Sequence, residues 1–165
     1  MTKRDRITGP DAAPIRWQWK LGRWLMIVAA LVYGPLPSLI DLFDPYHLTN
    51  PEWNGHARLH LLWLIAICAS AGLCAAYLAW RASPERPETL EKATLLGLII
   101  VGSFFCAGIF GPLVGANYGP PEHYFFGGRV GGPLIHFTLA GLFLGSGILL
   151  TRAGVRARGE VTDHG

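Results

Sequence analysis

Charged side chains are scarce in this 165-residue chain: Asp, Glu, Lys and Arg make up 15% of it, where an average soluble domain carries roughly 25%. That scarcity excludes an ordinary solvated surface. Motifs for redox or metal chemistry are missing as well. The three cysteines, Cys68, Cys74 and Cys106, are odd in number, form no C-x-x-C and fall inside apolar runs, so they are read as buried packing residues. There is no H-E-x-x-H, no C-x-x-C-H and no set of bridging carboxylates of the kind a di-iron bundle requires. Neither an internal repeat nor a separate soluble domain is visible.

What the chain has instead is apolar length. Hydrophobic residues make up 51% of it, alongside 21 glycines and 12 prolines, a combination that membrane helices tolerate because neighbouring segments satisfy disturbed backbone groups. A bilayer-spanning helix needs about 20 mostly apolar residues. Four stretches qualify, at 24–42, 59–80, 93–113 and 133–151. The expected fold is all-α: a polytopic membrane four-helix bundle at 24–151, flanked by polar tails at 1–23 and 152–165. Gly34, Pro35 and Pro37 predict a bend in the outer half of the first span, since each proline removes a backbone donor and crowds the preceding turn.

The net charge of +3 matters less than its placement. Lys3, Arg4, Arg6, Arg16, Lys20, Arg23, Arg81, Arg86, Lys92, Arg152, Arg156 and Arg158 lie in the tails and the 81–92 loop, and only Arg58 and Arg129 fall on the other side. Juxtamembrane cations stay cytoplasmic, which predicts both termini inside and the 43–58 and 114–132 loops outside, in the inner (cytoplasmic) membrane of the cell. A signal peptide is not expected, because hydrophobicity continues through Leu39 and Ile40 with no A-x-A-like cleavage site. The lipid bilayer is the expected partner, and nucleic acid is not.

Two G-x-x-x-G pairs, Gly111/Gly115 and Gly141/Gly145, predict close helix approach within the bundle, with homo-oligomerisation as the alternative use of such a face. The aromatic and glycine-rich loop from Tyr118 to Gly132 is expected to fold back onto the membrane interface as a lid.

Polar residues gather between Asp41 and His60. Asn50, Pro51 and Glu52 read as a helix start: a capping side chain, a proline at the first helical position and an acid at the positive helix end. His56 and His60 then stand one turn apart on a face that continues through Trp63 and Ile67, with Arg58 about 160° away. A pair between Arg58 and Asp41 or Asp44 would tie the second helix to the first. His136, near the outer end of the fourth span, is the expected facing residue of an outer pocket with His56, His60 and Asp41. Two histidines at that spacing can share a metal, or one can ligate haem iron through a neutral imidazole.

The run from Asn50 to His60 resembles the N-P-x-W-x-x-H-A-x-F-H signature of small four-helix membrane proteins. His56-Ala57-Arg58-Leu59-His60 is also similar, more distantly, to the W-A-R-A-H stretch of styrene oxide isomerase, a four-helix membrane enzyme that isomerises epoxides to carbonyl compounds. The Ala93–Val101 run and the glycine- and proline-rich loop before the fourth span are similar to that family too. The resemblance implies haem b ligated by His60 and a small lipophilic substrate; His56, Arg58 and His136, from the polar cluster itself, are the candidate catalytic residues. Ala66 and Gly111 stand near the positions where that family places an asparagine and a tyrosine to orient the epoxide. Two functions are therefore in view: a haem-dependent, isomerase-like enzyme, and a non-catalytic membrane scaffold or binding protein without a cofactor.

Overall fold

The computed structural model describes residues 17–163, with 157–163 as helix backbone alone. The N-terminal segment through Arg16, including Lys3, Arg4 and Arg6, lies outside the described residues, as do the last two residues of the chain. Among the described residues the regular elements are helical apart from one short hairpin, the α-helices being α1 Trp17–Tyr33, α2 Pro35–Phe43, α3 Gly55–Arg81, α4 Glu88–Phe110 and α5 Gly132–Asp163. Four helical stretches are long and apolar enough to cross a membrane: Trp17–Phe43, Gly55–Arg81, Glu88–Val114 and Gly132–Arg156. Each overruns the span expected from its apolar core. α5 in particular carries its helix through most of the polar C-terminal tail.

The bend in the first span falls at Gly34. The Gly34 N–H still reaches the Ala30 carbonyl at 3.2 Å, but neither Pro35 nor Pro37 has an N–H to continue the ladder, so the helix stops at Tyr33 and restarts as α2. Glycine is required here by contact: a Cβ on Gly34 would stand 2.6 Å from the Cα of Gly72 in α3, and one on Gly72 would stand 2.7 Å from the Ala30 carbonyl. Ser38, one turn beyond, donates its hydroxyl to the Gly34 carbonyl at 2.8 Å and lies 3.2 Å from the Ile65 carbonyl, which fastens α2 to α3.

The second helix starts later than Asn50 and Pro51 suggest. Asn50 accepts the Glu52 N–H at 2.9 Å and so closes a local turn, while Asn54, in extended backbone, accepts the Ala57 N–H at 2.9 Å and caps α3. An Asn side chain satisfies a turn or a helix end equally well, and here the second Asn takes the helix.

Helix contacts are made by small residues, though not by the two expected pairs. α1 packs on α5 through Gly22, Gly147 and Gly154: a Cβ on Gly22 would meet the Gly147 carbonyl at 2.7 Å, and one on Gly147 would meet Met26 at 2.5 Å. Gly145 has nothing within 4 Å and Gly141 meets only ordinary contacts at Val101 and Phe105. Gly111 opens a single 3-10 turn and Gly115 ends it at φ +73°, so those two glycines do not form a helix face at all. Tyr33 is buried at the centre of the bundle, its hydroxyl beside Gly97 of α4.

Much of the apolar surface points outward. Only 17% of the second and of the third candidate span is buried, and Leu59, Trp63, Leu64, Leu73, Leu95, Leu98, Ile109 and Phe110 are each more than half exposed. Cys74 and Cys106 share that outward surface and Cys68 is half-buried, which corrects the expectation of three packed thiols. Where the solvent is apolar, an outward position is as suitable for a thiol as an inward one.

Candidate functional site

The first loop and the long loop before α5 meet at one end of the bundle. Asp44 caps α2 in extended backbone and accepts the Tyr46 N–H at 2.8 Å, which turns the chain so that His47 sits between two carboxylates. His47 Nε2 lies 3.5 Å from Asp41 and its Nδ1 3.4 Å from Asp44. From the other loop, His123 Nε2 reaches within 4.0 Å of Asp44, its ring edge-on to Tyr46 at 5.3 Å. The Tyr46 hydroxyl donates to Glu122. That bond holds the Glu122 carboxyl below its usual range and, with the charge of Glu122, raises the Tyr46 phenol above its own.

The loop itself is folded. Residues Pro121–His123 form one 3-10 turn, and Tyr124–Phe125 pairs antiparallel with Val130–Gly131 across a tip of Phe126, Gly127 and Gly128, all at positive φ. Phe125 and Phe126 point outward, while Tyr118 packs under the hairpin against Gly131 and near Phe104, which stacks on Phe137 of α5 at 3.9 Å.

The expected pocket residues divide into two groups. His56 and His60 are brought together: their Nε2 atoms are 3.1 Å apart, with the rings edge to face at 4.4 Å and Trp63 a turn further on, 6.3 Å from His60. The pair does not face His136. α3 buries Ile65, Gly72, Ala75 and Ala79, and at 100° per residue His60 lies about 140° and His56 about 180° from Ile65. Both imidazoles are therefore exposed on the side turned away from the other helices.

His136 is half-buried on the inner side, where its Nε2–H donates to the Val32 carbonyl at 2.6 Å. That carbonyl lies in the last turn before the break at Gly34, where the regular helical ladder ends. Asp41 is within electrostatic reach of His136 and of His47. Arg58 makes neither expected ion pair; its Nη2 donates to the Asn50 carbonyl at 2.8 Å and braces the turn ahead of α3.

His47 and His123 were not singled out by sequence reasoning. The signal for His47 is the Asp44-to-His47 spacing across a proline turn; His123, 76 positions along the chain from it, carries no local signal. Among the described residues no group of three or more His, Cys, Asp or Glu is placed to hold a metal ion. An iron held by one imidazole is compatible with that, because a porphyrin supplies the four equatorial nitrogens. The His60 ring is exposed and flanked by the exposed apolar side chains Leu59, Trp63 and Leu64, with its Nε2 already partnered by His56. No protein-family model, no curated protein and no solved structure matches the chain.

Proposed function

We propose that the chain is a multi-pass protein of the inner (cytoplasmic) membrane, with both termini inside, which holds haem b through His60 at the outer end of α3 and acts on a small lipophilic substrate in the manner of an epoxide isomerase. The observation that carries the reading is the exposed His60 imidazole set in an apolar outward face. Soluble monomers rarely leave large apolar surfaces uncovered, and an amphiphilic group the size of haem would cover part of this one. Ferric haem, when bound, supplies a Lewis acid for an epoxide oxygen.

The chain's own residues have narrower tasks. His60 would hold the iron, and His56, whose Nε2 lies 3.1 Å from that of His60, would hold or move a proton beside it. Protein purified in detergent is expected to show a Soret absorbance band, and His60→Ala to lose it. A wild-type protein that neither carries haem nor binds added haemin overturns the reading.

A second reading, a non-catalytic scaffold, is favoured by the contacts of His136 and Arg58. Each is engaged with a backbone carbonyl, Val32 and Asn50 respectively, and each contact stabilises the local fold without requiring chemistry. Under that reading His60→Ala alters neither stability nor any bound ligand.

A further inference from the structure

The two α3 histidines do something a single haem ligand does not need: their Nε2 atoms stand within hydrogen-bond distance of one another. Nitrogens bound to one ion at the usual 2.0–2.1 Å stand about 2.8–3.4 Å apart, depending on whether the coordination is octahedral or tetrahedral. The Nε2 atoms of His56 and His60 are 3.1 Å apart. Their i, i+4 spacing on continuous helix keeps the rings on one side of α3, and both are exposed, so an ion can reach them without moving a neighbouring helix. We propose that His56 and His60 form a bidentate chelate for a borderline divalent transition metal, Cu2+ or Zn2+, whose remaining positions are filled by water.

His56 lies two residues beyond the Asn54 cap, at the positive end of the helix dipole, which opposes a bound cation, so the chelate rests on the two coordination bonds and requires both rings. In the ion-free protein one imidazole donates its Nε2–H to the other. Metal binding moves that proton to Nδ1 of the same ring through water, so a neutral pair binds with no net proton release. A pair that shares an extra proton releases one.

This chelate is an alternative use of the His60 Nε2 that the haem reading gives to iron, and it is tested on haem-free protein with metal alone. Full-length protein without a histidine tag is titrated with Cu2+ in detergent while tryptophan emission is followed, Trp63 being the reporter beside His60. Saturable quenching is expected, reversed by excess Zn2+ and absent with Mg2+. Trp63→Phe is expected to reduce its amplitude, and His56→Ala and His60→Ala each to abolish the saturable phase. The milder His56→Gln, which keeps a hydrogen-bonding group on the helix surface, is expected to abolish it as well, with helix content unchanged by circular dichroism. Saturable binding that survives either histidine substitution overturns the proposal. So does its loss with only one of the two.

Discussion

His136 shows how much a single side chain can depend on a distant break in the backbone. Its Nε2–H occupies the Val32 carbonyl at 2.6 Å, next to the bend that Gly34, Pro35 and Pro37 impose. Replacing it with phenylalanine leaves that acceptor without its partner in a half-buried place, an expected loss of about 1–3 kcal/mol. Thermal unfolding in detergent measures it, and an unchanged midpoint would count against the contact. The Tyr46–Glu122 bond is a different case, since both groups are fully exposed and its effect is confined to the loops. Glu122 has a lowered folded pKa, so its contribution is present above the ordinary carboxyl range and fades as pH falls through the lowered value. Tyr46 has a raised folded pKa, so its contribution is complete below the ordinary phenol value and fades as pH rises through the raised one. The link between the two loops is thus expected to hold across neutral pH and to loosen in acid and in strong base. Proteolysis at Arg129 followed against pH would show this, with Tyr46→Phe cleaved faster than wild type at neutral pH and flat across the acid limb.

Among the elements, the contact of α1 with α5 distinguishes glycines that look alike in sequence. Gly145 and Gly147 are two residues apart, yet a Cβ at Gly145 meets nothing within 4 Å while one at Gly147 meets Met26 and the Gly22 backbone. Gly147→Ala is therefore expected to cost about 1–3 kcal/mol through overpacking, and Gly145→Ala to cost nothing measurable. Denaturation of the two variants in the same detergent decides it, and equal effects would place the helix contact elsewhere. The bend at Gly34 was legible in the chain because a proline acts within its own turn. The α3 start was less so. Asn50-Pro51-Glu52 and Asn54-Gly55 both carry capping chemistry, and only the folded chain shows the first making a turn and the second starting the helix.

For the whole molecule, the two loops joined through Asp44, His47, His123, Tyr46 and Glu122 lie on one side of the bundle, and the short connection at Ala82–Pro87, held by Arg23 donating to the Ala82 carbonyl, lies at the other ends of the same helices. Single cysteines placed at Glu52 or Arg129 in a cysteine-free background are expected to react with a membrane-impermeant thiol reagent on intact cells, and one at Arg86 only after lysis. The opposite pattern would invert the topology inferred from the basic residues.

The four apolar stretches, the bend and the pairing of His56 with His60 follow from the chain alone, because each rests on spacing within one segment: span length, proline chemistry and the helical repeat of 3.6 residues. The rotation of each helix about its axis does not follow. A segment apolar on every side carries no stripe to say which face meets its neighbours, so inward and outward positions read alike. Tertiary packing turned the histidine pair outward, brought His136 to Val32 and not to His60, set Gly22 and Gly147 in contact while Gly145 stayed free, and joined His123 to Asp44 across the two loops. These contacts arise between segments far apart in the chain, through close approach that small residues permit and larger ones would block.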